Sequence, residues 1–243
     1  MLIDAKLADT SDLNSEIENL ASLLQQRGVF IRLGKDFTTF AARIQQTPER
    51  APLHEQFAPD LDMDGAQSAF WICGYDEDGD LVHTQAAHLL DLTGKSIAAH
   101  IDAHQHNYFP KSPPVIRSTV KPKAGPRSSS IDGMVAYHGE MWLRKDLRDQ
   151  GTAAILIRLG LLVMVREWDP DAVFGLMNWS LACRGFNMRI GYHHSEPMTV
   201  TWDRSDSRKQ HQVWLVYLER EDIKFLMQMP IVEFSAALAN DFR

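Results

Sequence analysis

The sequence predicts an α/β (α+β) fold, a mixed twisted sheet flanked by helices, with a helical extension at the N-terminus. Three observations lead there. Short apolar runs of strand character recur between residues 67 and 218. The segment Gly139–Val165 passes from one such run, through a charged turn containing Gly151, into a long apolar stretch of helical character. Residues 11–46, by contrast, place their apolar side chains at helical spacing. The chain thus divides into a helical extension, residues 1–65, and a core domain, residues 66–243.

Taken in order, Leu13, Ile17, Leu20 and Leu24 make residues 11–27 an amphipathic helix that Ser11 or Asp12 caps and Gly28 ends. Phe30–Leu33 is a short extended piece. Residues 36–46 form a second helix with Phe37, Phe40, Ala41 and Ile44 on one face. Residues 47–65, with prolines and an acidic run, are expected to be a surface linker. The extension is expected to pack on the core or to make a contact in a homodimer, with a substrate lid as the alternative. Residues 69–75 and 81–90 are two strands joined by Asp76–Asp80, a charged turn with glycine where positive φ is expected.

Residues 95–108 carry His100, His104 and His106. The first two are one helical turn apart and have metal-ligand spacing, but no Glu follows His100 as a zinc hydrolase requires, so solvated helix histidines are expected and no metal. Residues 109–130, rich in proline and carrying Lys111, Arg117, Lys121, Lys123 and Arg127, are expected to be a long irregular basic loop. Residues 131–143 are extended. Residues 171–178 form the next strand, and 180–190 a helix. Residues 198–203 and 211–218 form the closing strands around a polar hairpin loop, 204–210. Two short helices, 219–227 and 231–239, follow on either side of Pro230.

Composition narrows the function classes. A net charge of −7 argues against a general nucleic-acid binder. Its distribution is uneven: residues 1–80 hold fifteen acidic against six basic residues, whereas residues 111–150 hold eight basic against four acidic. The basic excess is next in sequence to the Gly151 turn and suits a polyanionic ligand. The apolar run 153–165 is interrupted by Arg158 and too short for a bilayer, so a buried helix rather than a membrane span is expected. The N-terminus lacks the basic-then-apolar build of a signal peptide. Cys73 and Cys183 form no metal or redox motif, and two free buried thiols in a reducing cytoplasm are expected.

The junction at 148–153 carries the most specific signal. A strand, a glycine turn and a helix start bring free backbone N–H groups and the positive helix end onto an anion. The residues there, Arg148-x-x-Gly151-x-Ala153, resemble the pyrophosphate-binding signature of the GNAT acyltransferases. A second point of resemblance follows: a strand ending in Asn178, then a helical segment closing on Gly191-Tyr192. The motif-grade likeness covers residues 139–192.

That resemblance implies a sheet that splays open to admit acetyl-CoA, or another acyl-CoA, as cosubstrate, and an amine acceptor such as a small molecule. Backbone groups of Trp142, Leu143 and Arg144 would pair with the pantetheine arm. Those of Arg148, Asp149, Gln150, Gly151, Thr152 and Ala153 would hold the pyrophosphate, with Asn178 across the cleft. Glu140 and His138, by position, are the residues that would receive the amine proton. Alternation along a strand puts His138, Glu140 and Trp142 on one face. A carboxylate beside Met141 and Trp142 is expected to have a raised pKa; the alternative is a surface ion pair for Glu140, with His138 a satisfied strand residue. The general acid of the family pattern, a Tyr, is missing: Asn187 occupies its position, Phe186 lies beside it, and Tyr192 fills a packing position. The alternatives to an N-acyltransferase are a catalytically weak acyl-CoA-binding sensor and a metal-binding module.

Overall fold

The computed structural model describes residues 10–59, 66–108, 115–148 and 150–229. Eight strands form one mixed sheet. They are β1 (Phe30–Gly34), β2 (Ala66–Tyr75), β3 (Leu81–Leu92), β4 (Val115–Pro122), β5 (Gly133–Leu143), β6 (Ala172–Asn178), β7 (His194–Arg204) and β8 (Ser207–Glu219). Their order across the sheet is β1-β2-β3-β5-β6-β8-β7-β4. The β5–β6 pair alone is parallel; every other neighbouring pair is antiparallel.

Helices cover both faces. On one lie α1 (Thr10–Gln26) and α5 (Thr152–Trp168), packed against each other. On the other lie α2 (Phe37–Gln45), α3 (Ile97–Ala103) and α4 (Gln105–Tyr108). The alternation of strand side chains separates two cores. In β2, Phe70 and Ile72 join the α1/α5 core with Leu20, Leu24, Ile155 and Leu156. Trp71, Cys73 and Tyr75 join the α2/α3 core with Phe40, Ile44, Ile97 and Ile101. The crossover from β5 to β6 runs through α5, which is buried over nearly its whole length, Arg158 included. Such a helix is apolar all round because the sheet and α1 together enclose it. No described helix is long and apolar enough to cross a membrane.

Several expectations need correction. Residues 115–122 are not irregular; they form the edge strand β4, paired antiparallel with β7. The basic Lys121 and Lys123 therefore sit at the far edge of the sheet, separated from β6 by β7 and β8, rather than beside the Gly151 turn. Lys111 lies outside the described residues. The expected 204–210 loop is a tight turn between long strands, because Arg204 already pairs with Ser207. The helix expected over 180–190 breaks at Gly185, φ +69°, into α6 (Trp179–Ala182) and α7 (Phe186–Arg189). The last described helix, α8, spans Arg220–Gln228; the helix expected over 231–239 lies outside the described residues. Cys73 is buried, with its thiol pushed up to about 12 by desolvation, but Cys183 is exposed. The segment after α2 is no surface linker throughout, since Arg50, Gln56 and Phe57 are buried.

Candidate functional site

The site begins where the sheet divides. Parallel pairing of β5 with β6 runs only from Val135↔Ala172 to Tyr137↔Phe174. Beyond that point β5 stays with β3 as far as His83↔Leu143, and β6 stays with β8 as far as Asn178↔Val213. Each strand keeps its outer neighbour and loses its inner one. A cleft therefore opens between the C-terminal halves of two adjacent parallel strands, the usual place for a ligand in a sheet of this kind.

At the cleft's end the chain turns into α5. Residues 145–147 make one 3-10 turn, and Gly151 then adopts φ +73° directly before the helix. That left-handed conformation is cheap only for glycine. Among the described residues, the backbone N–H groups of Gly151, Thr152 and Ala153 find no backbone partner. They lie at the positive end of a 17-residue helix. Thr152 Oγ1 is buried there without a hydrogen-bond partner among the described residues. Orphaned donors and a hydroxyl at a helix start fit a phosphate. The turn is tied down from outside. Arg148 Nε donates to Leu143 O at 2.9 Å, Gln150 Nε2 to Asp146 O at 3.1 Å, and Arg27, just past the end of α1, to Gln150 O at 2.8 Å. Asp149 lies outside the described residues.

The strand end is less open than expected. Trp142 O accepts from His83 Nδ1 at 2.7 Å, Leu143 O from Arg148, and Arg144 N–H donates to Val82 O. The Arg144 side chain turns away to Asp76 and Asp146, whose hydrogen bonds raise its pKa further. Glu140 and Met141 have no register partner on β3. Asn178, at the end of β6, caps α6: its Oδ1 accepts from Ser180 N at 3.0 Å and Oγ at 2.9 Å.

Between Gly139 and Trp142, β5 carries a bulge, one residue more than β3 offers opposite it. Glu140 takes up the extra residue with φ +56°, a conformation few non-glycine residues adopt. The bulge corrects the expected shared face. His138 points to the α5 side, where it meets Gln85 and Tyr192; Glu140 points to the α2 side, where it meets Arg50 and His54. Trp142 packs on that same side.

Glu140 is held from every direction. Its carboxylate pairs with Arg50 Nη2 through Oε2, while Oε1 accepts from His54 N at 3.0 Å and lies 2.6 Å from His54 Nδ1. Its carbonyl accepts from Thr84 Oγ1 at 2.7 Å, and Arg50 Nε donates to that same hydroxyl at 3.1 Å. The Glu140 side chain is 0% exposed. Burial alone pushes its pKa up. The hydrogen bonds from His54 and the charge of Arg50 outweigh burial and hold it below the usual carboxylate range. The expected raised pKa is thus overturned, and the ion pair expected as its alternative is present but buried, not on the surface. Arg50 and His54 lie in a segment that reads in the sequence as linker. The one local hint is Gly139, a glycine inside a strand pattern.

His138 has both ring nitrogens engaged: Nε2 lies 2.8 Å from Gln85 Oε1, and Nδ1 lies 2.8 Å from Tyr192 Oη. Gln85 Nε2 in turn donates to Leu156 O, so its Oε1 faces the ring, His138 carries its proton on Nε2, and Tyr192 donates to Nδ1. Burial lowers its pKa to about 4. Asn187 is buried and donates to Tyr192 O. His100 is buried against Tyr108 Oη, and His104 Nδ1 lies 3.0 Å from the carbonyl of His100. The described residues contain no group of three or more His, Cys, Asp or Glu with metal-binding geometry.

No family model matches the chain, and no curated protein does. In structure it is similar to N-acetyltransferases. Aminoglycoside acetyltransferase AAC(6')-Ib, solved with coenzyme A and kanamycin, shares 10% identity at a TM-score of 0.41 over 81% of this chain and 98% of that one. Arabidopsis thaliana NAA60, solved with acetyl-CoA, shares 10% at 0.43 over 79% and 99%. The Escherichia coli GNAT-family protein YhbS, solved with coenzyme A, shares 15% at 0.40 over 80% and 84%.

Proposed function

We propose that this protein is an N-acyltransferase of GNAT type that moves an acetyl group from acetyl-CoA to a primary amine. The observation that carries the reading is the parting of β5 from β6 beside the N-terminus of α5. A thin extended ligand arm fits between two strands that have released each other, and its phosphates fit the donors of Gly151, Thr152 and Ala153. The bulge at Glu140 supports it, because strained backbone beside a cleft is characteristic of functional sites.

In the reaction the amine nitrogen attacks the thioester carbon, a C–N bond forms, the C–S bond breaks, and the thiolate leaves with the sulfur electrons. The protein's part is to align the two reactants and to take up the proton that the amine loses. His138 takes no part in this reading; it anchors the α5 side of β5. A second reading, an acyl-CoA-binding protein with little turnover, is favoured by Asn187, whose amide is committed to Tyr192 O and offers the thiolate no proton.

Calorimetry with acetyl-CoA, run beside an assay of thiol release over a panel of small amines, separates the readings. Binding together with amine-dependent thiol release is expected. Binding without release supports the second reading, and no binding overturns both.

A further inference from the structure

The bulge carboxylate has the wrong properties for a base. It is fully buried, ionised and already paired with Arg50, so neither oxygen is free to meet an incoming amine. The side chain next to it has the right ones. His54 follows directly on the segment anchored by Arg50, heads the 3-10 turn Glu55–Phe57, and leaves 43% of its side chain exposed. Its Nδ1 lies 2.6 Å from Glu140 Oε1, and its own backbone N–H fixes that same oxygen at 3.0 Å.

We propose that His54 is the catalytic base of the acyl transfer, with Glu140 and Arg50 as its positioning residues. The proposal rests on the N-acyltransferase reading and deepens it. An ionised carboxylate accepts but cannot donate, so the close Nδ1···Oε1 contact places the ring proton on Nδ1. Nε2 is then the lone-pair nitrogen, and among the described residues it has no hydrogen-bond partner. As the amine nitrogen bonds the thioester carbon, its proton passes to Nε2. The imidazolium so formed stands against the Glu140 carboxylate, which stabilises the new charge, as the carboxylate does in a Ser-His-Asp triad. When the C–S bond breaks, that same proton is available to the leaving thiolate, a role Asn187 cannot fill. Arg50 pairs with the Glu140 carboxylate, and Thr84 Oγ1 holds the bulge carbonyl, so the dyad's geometry is built into the strand.

The test uses the full chain with His54→Asn, whose amide N–H retains a donor toward Glu140 while offering no base, and His54→Ala with added imidazole. For His54→Asn, kcat is expected to fall by about a hundredfold or more, with acetyl-CoA affinity by calorimetry unchanged. Imidazole is expected to restore part of the rate to His54→Ala. A His54→Asn rate within about threefold of wild type, or a loss of rate that tracks a loss of acetyl-CoA affinity, overturns the proposal. Failure of the wild-type protein to bind acetyl-CoA or release thiol overturns the functional reading instead. The dyad is then decided by nitrogen-15 NMR of the His54 ring, where an Nδ1–H tautomer supports it and an Nε2–H tautomer overturns it.

Discussion

At the residue scale, the Arg50–Glu140 pair decides how the centre of the molecule tolerates change. Both side chains are almost wholly buried, 4% and 0% exposed. A buried pair is weak evidence for net stability, because desolvating two charges offsets most of their attraction. Removing one partner is different, since it strands the other charge in a poor solvent. Arg50→Ala is therefore expected to lower stability by about 3–5 kcal/mol, measured by urea unfolding at pH 7. The loss should be smaller near pH 4, where the stranded carboxylate can take up a proton. Arg50→Met combined with Glu140→Gln, which removes both charges, is expected to cost less than Arg50→Ala alone. If it costs more, the pair itself stabilises the fold. The pairing cannot be read along the chain: ninety positions separate the partners, and nothing near Arg50 marks it for burial.

At the scale of elements, the strand–turn–helix unit at 133–168 was legible because its signals are local. Gly151 is where a left-handed residue must stand, and the apolar run after it can only be a buried helix. The bulge one strand-length earlier was not legible. A single extra residue leaves the apolar pattern of β5 readable as plain alternation, and it moves Glu140 to the face opposite His138. The same limit applies to β4: the proline-rich stretch around it reads as loop, yet the one proline inside it, Pro122, is tolerated because β4 is an edge strand. The turn can be tested by two substitutions at one position. Gly151→Ala adds only the cost of a side chain at positive φ, about 1–2 kcal/mol of stability. Gly151→Glu adds the same strain and a negative charge at the helix start. Calorimetry is expected to show at least about a tenfold further loss of acetyl-CoA affinity for Glu relative to Ala. Equal affinities for the two variants would move the phosphate seat elsewhere.

Across the whole molecule, the sheet's centre is unusually rich in buried histidine, and this sets the response to acid. His83, His88 and His138 are 0%, 2% and 5% exposed, on the central strands β3 and β5. Desolvation lowers His83 and His88 to about 3, and His138 to about 4. All three are neutral in the folded protein at pH values where an unfolded chain, with histidine near ~6.5, has taken up protons. A folded pKa below the unfolded one means the unfolded state binds more protons in between, so stability rises with pH across that window. The contribution of these residues is complete above the unfolded value and is lost as pH falls from there toward 4. Each contributes a slope of about 1.4 kcal/mol per pH unit, or about 4 for the three together. Glu140, whose folded pKa is also depressed, adds its loss only lower, below the ordinary carboxylate value. The marginal stability of domains makes a slope of that size decisive within two or three pH units. Urea midpoints should therefore be flat above pH 7 and fall steeply between pH 6 and 4. Replacing His88, whose Nε2 has no hydrogen-bond partner among the described residues, by Phe should reduce that slope by about a third. A midpoint that stays constant down to pH 4.5 would mean that these rings reach solvent or carry their charge inside the fold.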